Sequence, residues 1–409
     1  MLNESPPDAR ARPGVDDLFP PAVRADPYPF YRQLRERAPV YDTGQDLWLV
    51  TSYRHCHALL RDGRCSKDLH TMANYERNMQ MAGRTQPIRE LLEQLMSFSD
   101  PPDHTRLRGL VQRAFGPRMV EGLRGRVHQV AHELLDQVAD GKIELISEFA
   151  WQFPLVVVAE MIGVPLEDRQ RFHDWSRDLA PSFELVLSPE AAEAAERATE
   201  EFTAYFHRLV EERAREPRGD LLTALVEAEE QGARLSTREL VVNLILIVGA
   251  GHETVMNLIA NGVLSLLRNP DQLERLRREP EITDDAVEEL LRYETPVQMT
   301  TRFPSADIEI DGQTIPAGTR VSVILAAGNR DPERFPDPDR LDLTRGDHQH
   351  LAFGGGIHYC LGNALARIEA ATAFRALVDR FPRLELATDA PEYRDTILLR
   401  GLKSLPLRV

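Results

Sequence analysis

The run Phe353-Gly354-Gly355-Gly356-Ile357-His358-Tyr359-Cys360-Leu361-Gly362 sets a lone cysteine between a glycine-rich loop and the expected start of a helix. A helix N-terminus offers unpaired N–H groups and the positive end of the peptide dipoles, which lower a thiol pKa and suit a bound thiolate. The glycines clear side chains from a backbone that a large flat ligand must approach, and Phe353 can shield the sulfur. From these residues alone, a buried structural cysteine beside a turn fits equally well. A second group is Ala250-Gly251-His252-Glu253-Thr254. An acid next to a hydroxyl at a glycine-weakened helical turn can hold water and relay protons; an exposed Glu and a back-bonding Thr is the plainer alternative. Glu289 and Arg292 stand at i,i+3, the spacing of a helical ion pair. Glu212 with Arg215 and Glu274 with Arg277 share that spacing and read as solvated helix faces.

These groups need a scaffold. Short helical and hairpin signals come first: a helix at 31–37, then 40–41 and 47–51 alternating about a turn at 44–46. Residues 66–90 lack periodicity and read as a long loop with helical pieces, a length that usually serves function. Helical patterns dominate from 103 to about 380. One face is marked by Leu123, Val127, Val130, Leu134 and Val138 before Gly141; further helices cover 154–162 and 191–215. Ser236-x-x-Glu239 is a capping box opening a helix that Asn269-Pro270 stops. Roughly 30 residues at 1.5 Å each give about 45 Å, enough to cross the molecule. Gly249 and Gly251 at its middle mark either a weak point or a close backbone approach. Strands follow at 307–310 and 321–325, then an irregular connection at 331–346 and a helix at 361–380. Strand-like segments at 396–399 and 405–409 end the chain. The fold class is mainly α with small β-sheets: a loose tail, 1–21, and a single domain, 22–409.

With 65 acidic against 49 basic residues the formal charge is −16, which repels nucleic acid and anionic membranes at long range. The first 21 residues lack the apolar segment of a signal peptide, and the apolar stretch 240–250 is too short to cross a bilayer. Cys56, Cys65 and Cys360 form no CxxC pair or disulfide-like spacing, so Cys56 and Cys65 read as structural. A reducing, cytoplasmic location is expected.

The cysteine string resembles the ligand loop of the cytochrome P450 family at every defining position, F-G-x-G-x-H-x-C-x-G. The resemblance makes Cys360 the axial ligand of the iron of haem b (iron protoporphyrin IX), with Phe353, Gly354 and Gly362 around it. It makes residues 250–254 the oxygen-activation segment, with Ala250 and Gly251 at the turn and Glu253 and Thr254 delivering protons; many family members carry a second Thr where this chain has Val255. Glu289-x-x-Arg292 matches the family's ExxR element, a structural brace whose third member is placed at Arg340. His104, Arg108, Arg302 and His358 match residues that hold the haem propionates. The resemblance spans about 27–409 and implies a helical fold with haem between the central helix and the cysteine-bearing helix.

A haem-thiolate of this family inserts one oxygen atom of O2 into a C–H or C=C bond. No dinucleotide-binding, flavin or iron–sulfur motif is present, so NAD(P)H electrons are expected through a separate ferredoxin and ferredoxin reductase. Arg106, Arg113, Arg118 and Arg367 are the candidate docking patch. Substrate contacts are expected from Leu244, Ile247 and Val248 on the central helix, from Val297, Met299 and Thr300, and from Leu398 and Leu399. Their apolar character points to a polyketide, macrolide, terpenoid or steroid of secondary metabolism, acted on by a monomer. A peroxide-driven or ring-coupling haem-thiolate enzyme, and a haem sensor or carrier without turnover, stay open as alternatives.

Overall fold

The computed structural model describes residues 19–409 apart from 45, 139–140, 185, 231 and 389; the expected tail lies almost wholly outside the described residues. The chain is mainly helical, with small sheets.

The central helix, Thr237–Arg268, runs 32 residues, about 48 Å. Its start is set by the capping box: Ser236 Oγ accepts the Glu239 N–H at 3.2 Å, and Glu239 Oε2 accepts the Ser236 N–H at 2.8 Å. The helix is long and apolar enough to cross a membrane by composition, yet 67% of that window is buried inside the molecule. It packs against the helices Gln152–Ile162, Pro189–Arg215 and Asn363–Arg380, so its all-round apolarity belongs to a core helix. A Cβ on Gly251 would stand 3.0 Å from Val158 Cγ2. Of the two readings, close approach of a neighbouring helix holds at Gly251; at Gly249 only the Phe183 ring comes near, at 3.6 Å.

A five-stranded sheet flanks the helices. Its strands are β1 (Val40–Asp42), β2 (Leu47–Val50), β3 (Cys65–Ser66), β4 (Thr300–Pro304) and β5 (Arg320–Val323), in the order β1-β2-β5-β4-β3. β2 and β5 are parallel and the other pairs antiparallel; Val321 lies opposite Arg302. The sequence pattern had not marked β4, which carries Arg302. The hairpin Ile308–Ile310 with Gln313–Ile315 turns at Asp311 (φ 48°) and Gly312 (φ 73°), the left-handed pair that an Asp-Gly turn favours. The helix at 117–135 ends before Val138. Segment 396–399 forms a single bridge, Leu399 to Val297, while Pro406–Arg408 pairs with Glu385–Leu386 and Lys142–Glu144. The largest apolar core runs from Leu69 to Leu407.

Candidate functional site

Cys360 sits three residues before the helix Asn363–Arg380, its N–H donating to Phe353 O at 2.9 Å. Gly354 (φ 70°) and Gly356 (φ 65°) adopt the left-handed backbone, and a Cβ on Gly356 would strike Leu60 O. These glycines therefore shape the turn and seat it on the helix end at Leu60. Phe353 stacks under the Arg367 guanidinium, 4.5 Å from its ring centre; Gly362 has open space beside it. Burial pushes the Cys360 thiol up, opposed by the Gly362 and Asn363 amides and by Arg108 and Arg367. The expected depression of the thiol by the helix terminus is thus outweighed by desolvation. Among the described residues no three His, Cys, Asp or Glu side chains form a metal cage, so a metal at Cys360 must bring its other ligands.

Beside this loop lies a surplus of cations. His104 and His358 rings approach to 4.3 Å, each with a buried Nε2 lacking a partner. Arg302, 2% exposed, donates to Thr301 O at 2.9 Å and Thr300 Oγ1 at 3.2 Å, with no carboxylate bonded to it among the described residues. Lys67 Nζ reaches the same Thr300 hydroxyl at 3.5 Å, and Arg108 Nη2 donates to Tyr359 O at 2.6 Å. Burial, then Arg302, lowers Lys67 to about 7; burial lowers Arg302 to about 10. Burial and the surrounding positive charge of Arg302, His104, Lys67 and Arg108 drive His358 to about 2. Burial, then Arg108, also lowers His104. The facing carboxylate, Asp100, is engaged by the Lys67 N–H at 3.0 Å and by Ser66 Oγ. With Lys67 protonated, Lys67, Arg108 and Arg302 against one carboxylate leave two positive charges uncompensated, a costly state that the lowering of Lys67 to about 7 partly relieves. Two carboxylates arriving on one ligand, such as porphyrin propionates, balance them. No local pattern marked Lys67, whose partner Thr300 is distant in the chain.

On the central helix, Leu246, Ile247, Gly249, Ala250, Gly251 and Thr254 keep accessible surface although the helix crosses the core, and Ala250 is exposed outright. This stripe lines an internal space. Thr254 Oγ1 donates to Ala250 O at 2.7 Å. Glu253, adjacent but turned aside and 5% exposed, pairs through Oε1 with Arg394 Nη1 at 2.6 Å, and Arg394 Nη2 holds Asn257 Oδ1 at 2.7 Å. Arg394 was not foreseen. His252 is locked by Ser176 Oγ at Nδ1 (3.0 Å) and Trp151 O at Nε2 (2.9 Å).

Glu289 and Arg292 form a buried two-pronged pair, Nε to Oε2 at 2.7 Å and Nη2 to Oε1 at 2.8 Å. The third member is Arg345, whose Nε lies 3.2 Å from both Glu289 oxygens. Arg340 had been placed there; only its carbonyl takes part, accepting from Arg292 and Arg345, while its side chain is exposed.

Three expected substrate contacts belong to the core instead. Leu244, Val248 and Met299 have no accessible surface: the first two lie on the helix stripe away from the internal space, and Met299 packs with Leu47, Leu49 and Ile324. Ile247, Val297, Leu398 and Leu399 remain partly accessible, and Thr300 bridges two cations. The expected docking patch is also thinner. Arg106 pairs with Glu239 and Arg367 with Glu288, Nε to Oε1 at 2.6 Å, so these two charges are compensated; Arg113 and Arg118 are exposed.

A family model described as Cytochrome P450 matches residues 169–402. The chain is 43% identical over 398 residues to the cytochrome P450 monooxygenase PikC of Streptomyces venezuelae, covering 94% of this chain and 91% of that protein. It is 42% identical over 405 residues to 6-deoxyerythronolide B hydroxylase of Saccharopolyspora erythraea, covering 97% and 99%. The solved structure of P450BioI with an acyl carrier protein bearing hexadec-9Z-enoic acid matches with a TM-score of 0.88 at 38% identity, over 95% of this chain and 99% of that one.

Proposed function

The chain belongs to the cytochrome P450 family and is a haem-thiolate monooxygenase; from that premise we propose that Cys360 ligates the haem iron and that the substrate is a polyketide or macrolide. The observation that carries the site assignment is the pair of uncompensated positive charges beside the cysteine loop. Lys67, Arg108 and Arg302, with His104 and His358, hold the propionates there. Bound in this position, a haem supplies the family's activation of dioxygen for insertion of one oxygen atom.

The protein's own groups then have distinct work. Thr254 presents its hydroxyl to the internal space and orients water. Glu253 hands protons inward when Oε1 leaves Arg394. Ile247, Ala250, Val297, Leu398 and Leu399 exclude bulk solvent and set the substrate's position. The substrate class is supported by the names of two relatives, 6-deoxyerythronolide B hydroxylase and the polyketide biosynthesis cytochrome P450 PksS of Bacillus subtilis. Electrons from NAD(P)H come through a separate ferredoxin and its reductase, docking near Arg113 and Arg118. The chain acts as one domain, 22–409, in the cytoplasm and as a monomer.

The test is the reduced, carbon-monoxide-treated holoprotein. A Soret band at the thiolate position in the wild type, lost in Cys360→His with haem retained, is the expected result. Retention of the band in that variant defeats the ligand assignment. Spectral titration with 6-deoxyerythronolide B and related macrolactones, followed by product counting against NADPH consumed, tests the rest; no shift with any macrolactone defeats the substrate class.

A further inference from the structure

The helix Thr283–Tyr293 carries two neighbouring buried acids that face different parts of the chain. Glu289 turns to Arg292 and Arg345; Glu288 turns to the cysteine-bearing helix. Its carboxylate takes Arg367 in a two-pronged pair, Oε1 from Nε at 2.6 Å and Oε2 from Nη2 at 3.1 Å. Oε2 also lies 3.1 Å from His350 Nε2, while His350 Nδ1 accepts the Ala352 N–H at 3.1 Å. A ring nitrogen that accepts a backbone N–H carries no proton of its own, so the His350 proton sits on Nε2 and is donated to Glu288. Exposed His348 pairs with Asp285 at 3.2 Å and stands 4.0 Å from Glu288 Oε2.

Both arms of this carboxylate end on the cysteine loop. Through His350 it reaches Ala352, the residue before Phe353, whose carbonyl accepts the Cys360 N–H at 2.9 Å. Through Arg367 it reaches Cys360 from the other side. Arg367 Nη1 donates to Asn363 Oδ1 at 2.6 Å, and Asn363 Nδ2 donates to Cys360 O at 2.7 Å. The guanidinium also lies 4.5 Å from the centre of the Phe353 ring. One buried acid thus ties the entrance and the exit of the loop to a third segment, and the two-pronged geometry fixes the direction of the guanidinium as well as its charge.

The same contacts balance charge beside the sulfur. Arg367 favours ionisation of the Cys360 thiol, and Glu288 opposes that influence by offsetting the guanidinium. We propose that Glu288 is a positioning residue for reduction of the site: it seats Arg367 against the cysteine loop and offsets its charge, and the balance of the pair sets how readily iron held by Cys360 takes one electron, ferric becoming ferrous. The proposal rests on the haem-thiolate reading. Uncompensated positive charge favours the reduced state and uncompensated negative charge the oxidised state, so loss of either partner acts in the opposite sense to loss of the other. A pair that only held the loop in shape gives the same sense for both losses.

The experiment is anaerobic equilibration of the substrate-free holoprotein with a one-electron viologen dye, read as the ratio of ferrous to ferric protein at a fixed dye ratio. A small dye keeps the docking of a protein donor out of the measurement. Glu288→Gln should raise the ratio about threefold or more, and Arg367→Gln should lower it by a similar factor. The double variant should return to within about twofold of the wild type, because no orphaned charge remains. Arg367→Lys keeps the charge and should also stay within about twofold. Shifts of the same sign in the two single variants, or no shift in either, overturn the proposal. Where Glu288→Gln fails to hold haem, Arg367→Gln read against Arg367→Lys decides, and equal ratios in those two overturn it. The carbon-monoxide band of the wild type is recorded first: its absence sinks the haem-thiolate reading, whereas a normal band with same-sign shifts sinks this inference alone.

Discussion

Glu289→Gln tests the brace beneath the cysteine loop. The Glu289 carboxylate accepts two bonds from Arg292, faces Arg345 Nε at 3.2 Å through both oxygens, and accepts the Asp342 N–H at 3.0 Å. Arg292 is fully buried and also donates to the carbonyls of Asn329 and Pro338 at 2.9 Å each and of Arg340 at 3.3 Å. Glutamine keeps the shape but removes the charge and turns an amide donor toward guanidinium donors. Leaving one member of a buried ion pair uncompensated costs about 3–5 kcal/mol, against a total stability of about 5–15 kcal/mol. A fifth or more of the stability is therefore at stake.

The assay is urea unfolding followed by far-ultraviolet dichroism and by the thiolate carbon-monoxide band. Because the brace holds the carbonyls of residues 329–340 that lead to the cysteine loop, the band should fade at lower urea than the helices. Removing all three charges, as Glu289→Leu with Arg292→Met and Arg345→Met, should cost less than Glu289→Gln alone, since no orphaned charge remains. Arg340→Ala should stay within about 0.5 kcal/mol, as its side chain is exposed. A Glu289→Gln loss below about 1 kcal/mol, or an Arg340→Ala loss as large as that of Arg345→Ala, refutes the reasoning.

Three further outcomes follow from single contacts. His252 is fully buried with its pKa lowered to about 3 by desolvation; between that value and the unfolded 6.5 only the unfolded chain binds the proton, so stability falls as pH falls, by about 2 kcal/mol at pH 5. His252→Gln should lose this part of the difference between unfolding midpoints at pH 7.5 and 5, and an unchanged difference counts against it. Gly262→Ala drives a methyl into the Phe374 ring, with Leu290 Cδ1 at 3.4 Å behind it. It should cost about 1–3 kcal/mol in thermal unfolding, and a neutral result shows that the ring moves aside freely. Arg394→Gln frees Glu253, and should change the solvent deuterium isotope effect on dioxygen-dependent turnover by about twofold or more with haem content intact; an unaltered effect removes Arg394 from proton delivery.

What the sequence made legible were groups whose partners lie close in the chain or inside one string. The capping box joins Ser236 to Glu239, three positions apart; the pair Glu289 and Arg292 has the same separation, and the cysteine string is one unbroken run. Lys67, Arg345 and Arg394 escaped notice because they meet their partners across 233, 56 and 141 residues, a proximity that folding alone creates. Leu244 and Val248 were misplaced because the central helix is apolar all round, so its pattern does not say which stripe faces the internal space. Met299 was misplaced because β4 went unrecognised, and without the strand there was no alternation to turn its side chain away.

The cysteine shows where local reasoning reverses. A helix terminus does pull the Cys360 thiol toward ionisation through the Gly362 and Asn363 amides, yet burial outweighs those amides together with Arg108 and Arg367, and the net direction is upward. The apoprotein therefore keeps a proton on sulfur that a metal ligand must lose, and binding iron has to release it. The cations beside the loop face a matching deficit, two charges lacking anions. One ligand that carries both a metal and two carboxylates relieves both deficits at once, and neither an iron ion alone nor an organic diacid alone does so. Binding should accordingly be steep in both features: a porphyrin without iron, or a haem with esterified propionates, should each bind more weakly than haem, and equal affinity for all three would break the connection between the sulfur and the cations.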